Sequence, residues 1–535
     1  MHRFLRLAVA LTVVGWLSVV REPAAIGASE PLRLHLRSRV KESGTADGFQ
    51  VIASEAEWNP VKTAIVVCDM WNEHWCRGAT QRVAEMAPRM NEVLKTARRQ
   101  GVLIIHCPSD TMKFYEGMPQ RKRAQQAPKV SLKPLAAGWC PLAGGEEPPL
   151  PFDNSKDRCD CTPQCPHGHP WRRQIATLEI ANQDAITDNA EAIYLMRQRG
   201  IDHVIVMGVH ANICVLRRPF AVRQLLAQGL TVTVMRDMTD SMHDSGSPPA
   251  GLDHFRATER VIEHIEKYWC PTITSQDFLG GAAFSFAEDK RPHAVMLIGE
   301  AEYETARTLP TFGDAELADR GLRLTTIHAD PHDLNDFTGL EALDEADLLL
   351  VSVRRRTPPE AQLARIKAFI QAGKPVVGIR TASHAFSLRS NQPPPAGHAA
   401  WPEFDAEVLG GHYTGHHAPP GKGAPRTLVS IVPEQRRHPI LSQIGEGEVA
   451  AASSLYKTSP LGDSAMALLT GRVEGQTSSE PAAWTNTDFA GGRVFYTSLG
   501  HKEDFRLPLF RRLLVNGVFW ALDKTTPEPM GVEKP

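Results

Sequence analysis

The feature that most constrains this chain is a regular alternation of short apolar runs with amphipathic segments. Four runs rich in Val, Ile and Leu occur at residues 63–69, 102–107, 203–209 and 230–237, and segments of helical periodicity such as 81–100 and 187–200 separate them. Short, continuous β-branched runs of this kind are typical of strands that are buried on both faces of a parallel sheet. The sequence therefore predicts a doubly wound α/β domain over residues 60–279.

The same alternation begins again after a linker at residues 280–292. Apolar runs follow at 293–300, 322–330, 346–353, 374–381, 427–432, 466–471 and 491–501, and a closing helix is expected near 508–522. A chain of 535 residues is long enough for two or three separate cores. We therefore predict two doubly wound parallel-sheet, Rossmann-like α/β domains in tandem, the second at residues 293–523.

The first 28 residues have the composition of a secretory signal peptide. Arg3 and Arg6 precede an apolar run from Leu7 to Val20, and small residues surround Ala28. The run is shorter than the roughly twenty residues of a membrane-spanning helix, so we expect an exported protein, periplasmic or extracellular, with no integral membrane segment. Residues 29–59 are assigned to an N-terminal extension, and the Pro-rich, polar residues 524–535 to a disordered tail.

The charge balance limits the class of partner. The formal net charge is −2, so the chain has no basic surplus that would attract a nucleic-acid backbone. We expect a small-molecule substrate and no nucleic-acid partner. Whether the chain forms a homo-oligomer is left open by the sequence.

Two chemically reactive residues stand at the ends of predicted strands. Asp69 closes the run 63–69, and Cys214 follows the run 203–209 at the start of an amphipathic segment. The carboxyl ends of parallel strands share one edge of a sheet, where ligands bind. A helix N-terminus lowers the pKa of a thiol, and a neighbouring carboxylate accepts its proton. The alternatives are an inert buried thiol and a helix-capping carboxylate.

The segments around these residues resemble isochorismatases and nicotinamidases, which are cysteine hydrolases. VVCDMWNEHWC (66–76) is similar to the opening strand of that family, and GVHANICVLRRPFAVRQLL (208–226) to its nucleophile elbow. The resemblance covers roughly residues 60–275 and implies Cys214 as nucleophile and Asp69 as general base. It also implies a cis peptide bond between His210 and Ala211 that directs backbone N–H groups into an oxyanion hole.

The third catalytic residue of that family is a Lys, which this sequence lacks in the matching segment 170–196. Glu179 stands near the expected place and is the third catalytic candidate, while Arg172 or Arg173 would supply a cation. Candidate ligand-binding residues beside the nucleophile are Asn72 and Arg217.

Two functions follow from this resemblance and from the missing Lys. The first is an exported hydrolase that cleaves an amide or related bond through a cysteine thioester. The second is a catalytically altered binding protein that uses both α/β domains as ligand or partner modules, because a Glu beside Asp69 would not stabilise a thiolate.

An insertion near residues 108–175 carries a dense run of metal-ligating side chains. Within CDCTPQCPHGHPW (159–171), the residues Cys159, Cys161, Cys165 and His167 are sufficient for a tetrahedral zinc site. In an exported protein, disulfides among these cysteines or with Cys140 compete with zinc and are favoured. The thiol chemistry requires no cofactor.

The second domain contains the segments AFIQAGKPVVGIRTASHAF (368–386) and RHPIL (437–441), and a third characteristic segment at 481–505. They resemble the trehalose-utilisation (ThuA-like) branch of the class I glutamine-amidotransferase fold. Glutaminase chemistry is excluded because no cysteine follows the strand KPVVGI or occurs elsewhere in this domain. His384, at that turn, and His501, on a later loop, are expected to line a polar ligand pocket.

Overall fold

A computed structural model describes residues 30–41, 48–133, 147–153, 158–246, 252–389, 393–417 and 425–528. The signal peptide, Cys140 and the end of the predicted tail lie outside the described residues. The described chain forms two mixed α/β units in tandem, each built around one large sheet. The predicted fold class is confirmed.

The first unit contains an eight-stranded sheet with helices on both faces. Its strands are β1 (Leu32–Lys41), β2 (Phe49–Trp58), β3 (Thr63–Cys68), β4 (Leu103–Cys107), β5 (Ala185–Ile186), β6 (His203–Val209), β7 (Thr231–Asp240) and β8 (Thr272–Ile273). Its helices are α1 (Arg77–Gln100), α2 (Pro119–Gln125), α3 (Glu191–Gln198), α4 (Cys214–Arg217), α5 (Val222–Ala227), α6 (His254–Tyr268) and α7 (Gln276–Leu279).

The strand order of this sheet is β2-β1-β8-β7-β6-β3-β4-β5. The six strands from β8 to β5 are parallel, and the β1/β2 hairpin joins them in antiparallel orientation at one edge. The segment assigned to an N-terminal extension is therefore part of the sheet.

Successive residues of β3 pack on opposite faces of the sheet. Ala64 and Val66 belong to one buried apolar cluster, and Ile65 and Val67 belong to another that also contains the apolar face of α1. This is the expected result when a strand is covered on both sides, because side chains alternate along a strand. Asp69 follows β3 directly, so the core fixes the position of its carboxylate.

The second unit is built on a nine-stranded sheet of order β10-β9-β11-β12-β19-β18-β17-β14-β15. Its strands and the separate pair β13/β16 are β9 (His293–Gly299), β10 (Arg323–His328), β11 (Leu348–Val353), β12 (Val376–Ile379), β13 (Gly415–His416), β14 (Thr427–Ile431), β15 (Val449–Ala451), β16 (Tyr456–Lys457), β17 (Met466–Val473), β18 (Ser479–Thr487) and β19 (Arg493–Thr497). Its α-helices are α8 (Thr305–Phe312), α9 (Glu360–Gln371) and α10 (Pro508–Ala521).

Only half of this second sheet is parallel. The first five strands in this order, from β10 to β19, are parallel to one another. The remaining pairs, from β19/β18 to β14/β15, are antiparallel. The departure from a wholly parallel sheet has a simple cause, since β17, β18 and β19 are joined by short connections that reverse the chain.

The two units contact each other through charged side chains. Arg39 of β1 pairs with Asp314 at 2.8 Å, and Arg256 of α6 pairs with Asp319 at 2.7 Å. Among the described residues, no helix combines the length and the apolar character that a bilayer-spanning segment requires.

Candidate active site

Asp69 is a fully buried carboxylate at the carboxyl end of β3. Its backbone has a positive φ of 46°, a conformation that is uncommon for residues other than glycine. The Ser109 N–H donates to Oδ1 at 2.7 Å, and Arg218 Nε donates to Oδ2 at 3.2 Å. Burial raises the pKa of Asp69, whereas Arg218 and the hydrogen bonds that the carboxylate accepts oppose the rise.

The thiol of Cys214 forms a hydrogen bond with this carboxylate. Cys214 is itself buried, with 4% of its surface exposed. Burial raises the pKa of the thiol well above its ordinary value, the Asp69 charge raises it further, and Arg218 opposes both effects. The two predicted residues therefore meet, but the expectation of a lowered thiol pKa is wrong in this structure. The resting thiol keeps its proton and holds it against a carboxylate that can accept it.

The short helix that follows Cys214 explains why the dipole argument fails. Helix α4 is only four residues long and ends at Arg217, because Arg218 adopts an extended conformation with φ −65° and ψ 158°. Pro219 follows, and a residue before proline is driven out of the helical region. A single helical turn carries a small dipole. The break also places Arg218, rather than Arg217, against Asp69.

Arg218 is the cation of this site. Its Nη2 donates to Asp110 at 3.3 Å, while its Nε holds Asp69. Burial alone would lower the pKa of Arg218. Asp69 and the Cys214 sulfur favour the charged guanidinium and outweigh this effect, so the pKa of Arg218 is raised. Sequence reasoning missed this residue and selected Arg217 instead. The signal that identifies it is the Arg-Pro dipeptide directly after the nucleophile turn.

Glu179 lies elsewhere, so its assignment as a catalytic residue is corrected. Its side chain is exposed, its N–H donates to Asn91 Oδ1 at 3.0 Å, and its carbonyl accepts from Arg98 of α1. It lines an open cavity of about 620 Å³ with Lys95, Arg98 and Arg99. No described contact joins Glu179 to Asp69 or Cys214.

Asn72 contacts the backbone, and not the guanidinium groups, of the other two predicted cations. The Asn72 Oδ1 accepts from the N–H groups of Arg172 and Arg173, at 3.0 Å each, and the side chains of both arginines are exposed. These two backbone groups already occupy the amide oxygen of Asn72. The prediction that Asn72 binds a ligand is therefore corrected for this oxygen.

The elbow before Cys214 differs in detail from the prediction. The cis bond joins Val209 to His210, one bond earlier than expected. The Ala211 N–H donates to the Asp240 carbonyl at 2.7 Å and is therefore not an oxyanion donor, whereas the His210 N–H donates to the Cys214 sulfur. The predicted role of Ala211 is thus corrected, and His210 lies beside the nucleophile as predicted.

Two further contacts fix the elbow against its neighbours. Asn212 exchanges two hydrogen bonds with the backbone of Met242, each 3.0 Å long. Gly208 has φ 111°, and a Cβ at this position would lie 2.0 Å from the Cys68 carbonyl oxygen. Only glycine fits there, which allows β6 to approach β3 closely enough for Cys214 to meet Asp69.

Aromatic rings form a wall beside the Asp69 strand end. The Trp71 and Trp171 rings stack with centroids 4.6 Å apart, and His74 stacks on Trp171 at 5.5 Å. The His74 ring also meets the His210 ring edge at 5.2 Å. Burial lowers the pKa of His74 to about 4 and holds that of His210 well below its ordinary value, so both rings are neutral near pH 7.

A buried ionic network lies behind the elbow. Arg82 Nε donates to Asp240 Oδ2 at 2.7 Å and its Nη1 to Asp160 at 2.6 Å, and His254 Nε2 lies 2.8 Å from Asp240 Oδ1. Burial would raise the pKa of Asp240, but Arg82 and His254 overcome it and lower that pKa far below 3.8. Burial would lower the pKa of His254, but Asp240 raises it above 6.5.

The cysteine-rich run folds against the start of α1. All eight described cysteines are free, so the favoured disulfides among Cys159, Cys161 and Cys165 are not present. Cys76, the N-cap of α1, lies against the thiols of Cys159 and Cys161. His167 is exposed and stacks on Trp75 at 4.0 Å, outside this cluster. The ligand atoms that lie within 4.8 Å of one another belong to Cys76, Cys159, Asp160 and Cys161, so the predicted set is corrected at Cys165 and His167.

In the second unit, Arg380 occupies the turn where amidotransferases have a cysteine. It has φ 43° and is 2% exposed. Its guanidinium lies 4.2 Å from the Tyr303 ring centroid and 4.5 Å from that of Tyr456. His384 meets Tyr456 at 6.1 Å, and His501 meets Tyr303 at 5.9 Å. The two predicted histidines are thus brought to one aromatic and cationic cluster at the carboxyl end of the sheet.

Comparisons with known proteins give similar structures for both halves of this fusion. A ThuA-like protein from Parabacteroides merdae covers 45% of this chain and 93% of its own, at 16% identity and a TM-score of 0.34. A cysteine hydrolase from Pseudomonas syringae pv. phaseolicola covers 41% and 91%, at 18% identity and a TM-score of 0.27. N-carbamoylsarcosine amidase from Thermoplasma acidophilum covers 35% and 87%, at 16% identity and a TM-score of 0.21.

No curated protein matches the sequence significantly. The model of one protein family does match, and its range coincides with the second sheet and its helices. Residues 295–521 match the model of the ThuA family, which is described as trehalose utilisation.

Proposed function

We propose that the first unit is a cysteine hydrolase that cleaves the C–N bond of a small amide. The observation that supports this most strongly is the contact of three buried or half-buried groups: Cys214 bonds to Asp69, and Arg218 holds Asp69 from the other side. Acyl transfer to a thiol requires a nucleophile and a base that activates it, and a neighbouring cation favours the charged form of both groups. The presence of Arg218 also favours hydrolysis over the altered binding protein, because the missing Lys has a substitute.

The proposed reaction has two steps. In the first, the Cys214 sulfur attacks the amide carbonyl while its proton passes to Asp69, and Asp69 then gives that proton to the leaving amine. The C–N bond breaks and a thioester forms. In the second, Asp69 accepts a proton from water, hydroxide attacks the thioester, and the carboxylic acid leaves. The sulfur recovers its proton from Asp69.

The negative oxygen of each tetrahedral intermediate needs hydrogen-bond donors. Among the described groups, none accepts a hydrogen bond from the Cys214 N–H. The Cys214 N–H is the proposed oxyanion donor, since a preorganised backbone donor stabilises such a charge. The His210 N–H is not assigned to this role, because it already donates to the Cys214 sulfur.

The surroundings of the pair favour a compact substrate with a flat apolar part. Cys214 and Asp69 are both buried, and the Trp71/Trp171 wall lies at the same strand end. Stacked indole rings bind flat groups through their faces. For the second unit we propose ligand binding around Arg380, and for the whole chain export by the signal peptide.

The proposed function is tested by amide hydrolysis. Ammonia or amine release is measured from a panel of small aliphatic and aromatic amides, with the intact chain and three variants. Cys214→Ala should abolish turnover, and Asp69→Asn should lower kcat by at least about a hundredfold, the usual contribution of a general base. Glu179→Gln is the matched control and should retain wild-type rates. Turnover that persists in Cys214→Ala would contradict the proposal.

A further inference from the structure

A cluster of three thiols and one carboxylate lies between the Cys-rich run and the first turn of α1. Cys159 Sγ is 3.3 Å from Cys76 Sγ, and Cys161 Sγ is 3.9 Å from it. The Cys76 thiol donates to Asp160 Oδ1 at 3.4 Å, and one ligand atom from each of these four residues lies within 4.8 Å of the others. Cys76 is distant in sequence from the other three, so the fold alone brings the set together.

The sulfur separations fit a tetrahedral metal site and not disulfides. Four sulfurs about 2.3 Å from a zinc ion lie about 3.8 Å from one another. The two sulfur separations from Cys76, 3.3 and 3.9 Å, are close to this value. A disulfide requires about 2.05 Å. The ligand side chains would therefore need to move little to surround one ion.

Backbone N–H groups are directed at these sulfurs. Gly78 N–H donates to Cys161 Sγ at 3.3 Å, and Ala79 N–H donates to Cys76 Sγ at 3.5 Å. The N–H groups of Cys161 and Cys165 donate to Cys159 Sγ, at 3.4 and 3.5 Å. Such outer donors stabilise thiolates that bind a metal. Neutral thiols are poor acceptors and do not need them.

We infer that Cys76, Cys159, Cys161 and Asp160 bind one zinc ion as a closed site of three thiolates and one carboxylate. Thiolate-rich tetrahedral sites suit zinc or iron. Zinc is assigned because it accepts thiolate and carboxylate ligands together in tetrahedral geometry, and four side chains leave no open position for catalysis. Each thiol that ligates the ion releases its proton, so binding frees up to three protons per ion.

The site would brace the segments that surround Cys214. It ties the run 159–165 to the helix that begins directly after Trp71, His74 and Trp75. Asp160 within the run also pairs with Arg82, whose other partner is Asp240 behind the elbow. The proposed role is thus structural, and it does not depend on what Cys214 does.

The test is the metal content of the full chain, purified without chelator from medium that contains both zinc and iron. We expect one zinc per chain by elemental mass spectrometry. Cys76→Ser and Cys161→Ser should lose zinc at least tenfold. His167→Ala and Cys270→Ser are matched controls that remove a nearby histidine and a remote buried thiol, and both should keep one zinc.

A measurement on the unaltered chain covers the case in which the serine variants do not fold. The thiols of Cys76, Cys159 and Cys161 should resist iodoacetamide until a chelator removes the metal, and cobalt substitution should give the visible bands of a tetrahedral thiolate site. The proposal is overturned by iron in place of zinc, by retention of zinc in a folded Cys76→Ser variant, or by metal-free protein in which these cysteines are recovered as disulfides.

Discussion

Replacing Asp69 and Arg218 one at a time should move the pKa of the Cys214 thiol in opposite directions. Asp69→Asn removes the negative charge that keeps the proton on sulfur, so the thiol pKa should fall. Arg218→Ala removes the cation that favours the thiolate, so the thiol pKa should rise. Both expectations follow from one carboxylate, which bonds to the thiol and to Arg218.

The size of each shift follows from the geometry. Two unit charges about 4 Å apart interact by about 4 kcal/mol at an effective dielectric constant of about 20. Since one pKa unit corresponds to about 1.4 kcal/mol, loss of the Asp69 charge should lower the thiol pKa by about 2–3 units. The Arg218 side chain is 16% exposed and acts on the sulfur partly through Asp69. Its loss should raise the thiol pKa by about 1 unit.

The assay is the rate of iodoacetamide alkylation at Cys214 across the pH range, read from the peptide that contains this residue by mass spectrometry. Arg218→Lys keeps the charge and is the matched control for Arg218→Ala. Glu179→Gln should leave the profile unchanged. Shifts of the same sign in Asp69→Asn and Arg218→Ala, or no shift in either, would refute the electrostatic account of the site.

Three further substitutions, one of them with a control variant, test other parts of the structure. Asp240→Asn should cost about 3–5 kcal/mol between about pH 4 and 6.5, because it breaks a buried ion pair. The contribution of Asp240 to the free energy of unfolding is lost as the pH falls below 3.8, because the pKa of its carboxyl is lowered in the folded state. The contribution of His254 is lost as the pH rises above 6.5, because its pKa is raised. Equal losses of thermal stability at pH 3, 5.5 and 8.5 would contradict this. Gly208→Ala should prevent folding, as measured by soluble yield, whereas Gly200→Ala, with φ 65° and open space, should cost only about 1 kcal/mol. Arg380→Ala should destabilise the second unit by about 2–5 kcal/mol, measured by differential scanning calorimetry, because it empties a buried site between two tyrosines.

The sequence predicts the buried parallel strands well because their signal is local. The run 203–209 coincides with β6, and the closing helix expected near 508–522 is α10. Strand orientation is not local, however. The apolar runs at β14 and β17 predict strands correctly. An apolar run does not indicate whether the strand is parallel or antiparallel to its neighbours, so the sequence does not predict the antiparallel half of the second sheet.

The N-terminal hairpin was missed for a related reason. β1 and β2 lie at the sheet edge, where only alternate residues are buried, and β1 is anchored to the rest of the sheet by one bridge between Arg37 and Thr272. Edge strands therefore carry a weaker apolar signal than central ones.

The candidate site was predicted only where residues follow strands directly. Asp69 and Cys214 do, and the structure brings them together. The cation depends on a break after a single helical turn, which Pro219 imposes, and Cys76 depends on packing between distant segments. Glu179 was selected by its distance along the chain, but the intervening loop turns away towards the end of α1.

The most direct test of the central claim is acylation of Cys214 by p-nitrophenyl acetate, an activated ester that bypasses the unknown substrate. The account predicts a burst of one p-nitrophenolate per chain and, after acid quenching, one acetyl group on the peptide that contains Cys214. The burst should be absent in Cys214→Ala. Acetylation of other residues with Cys214 unmodified, or a burst that survives in Cys214→Ala, would contradict the assignment of Cys214 as the nucleophile.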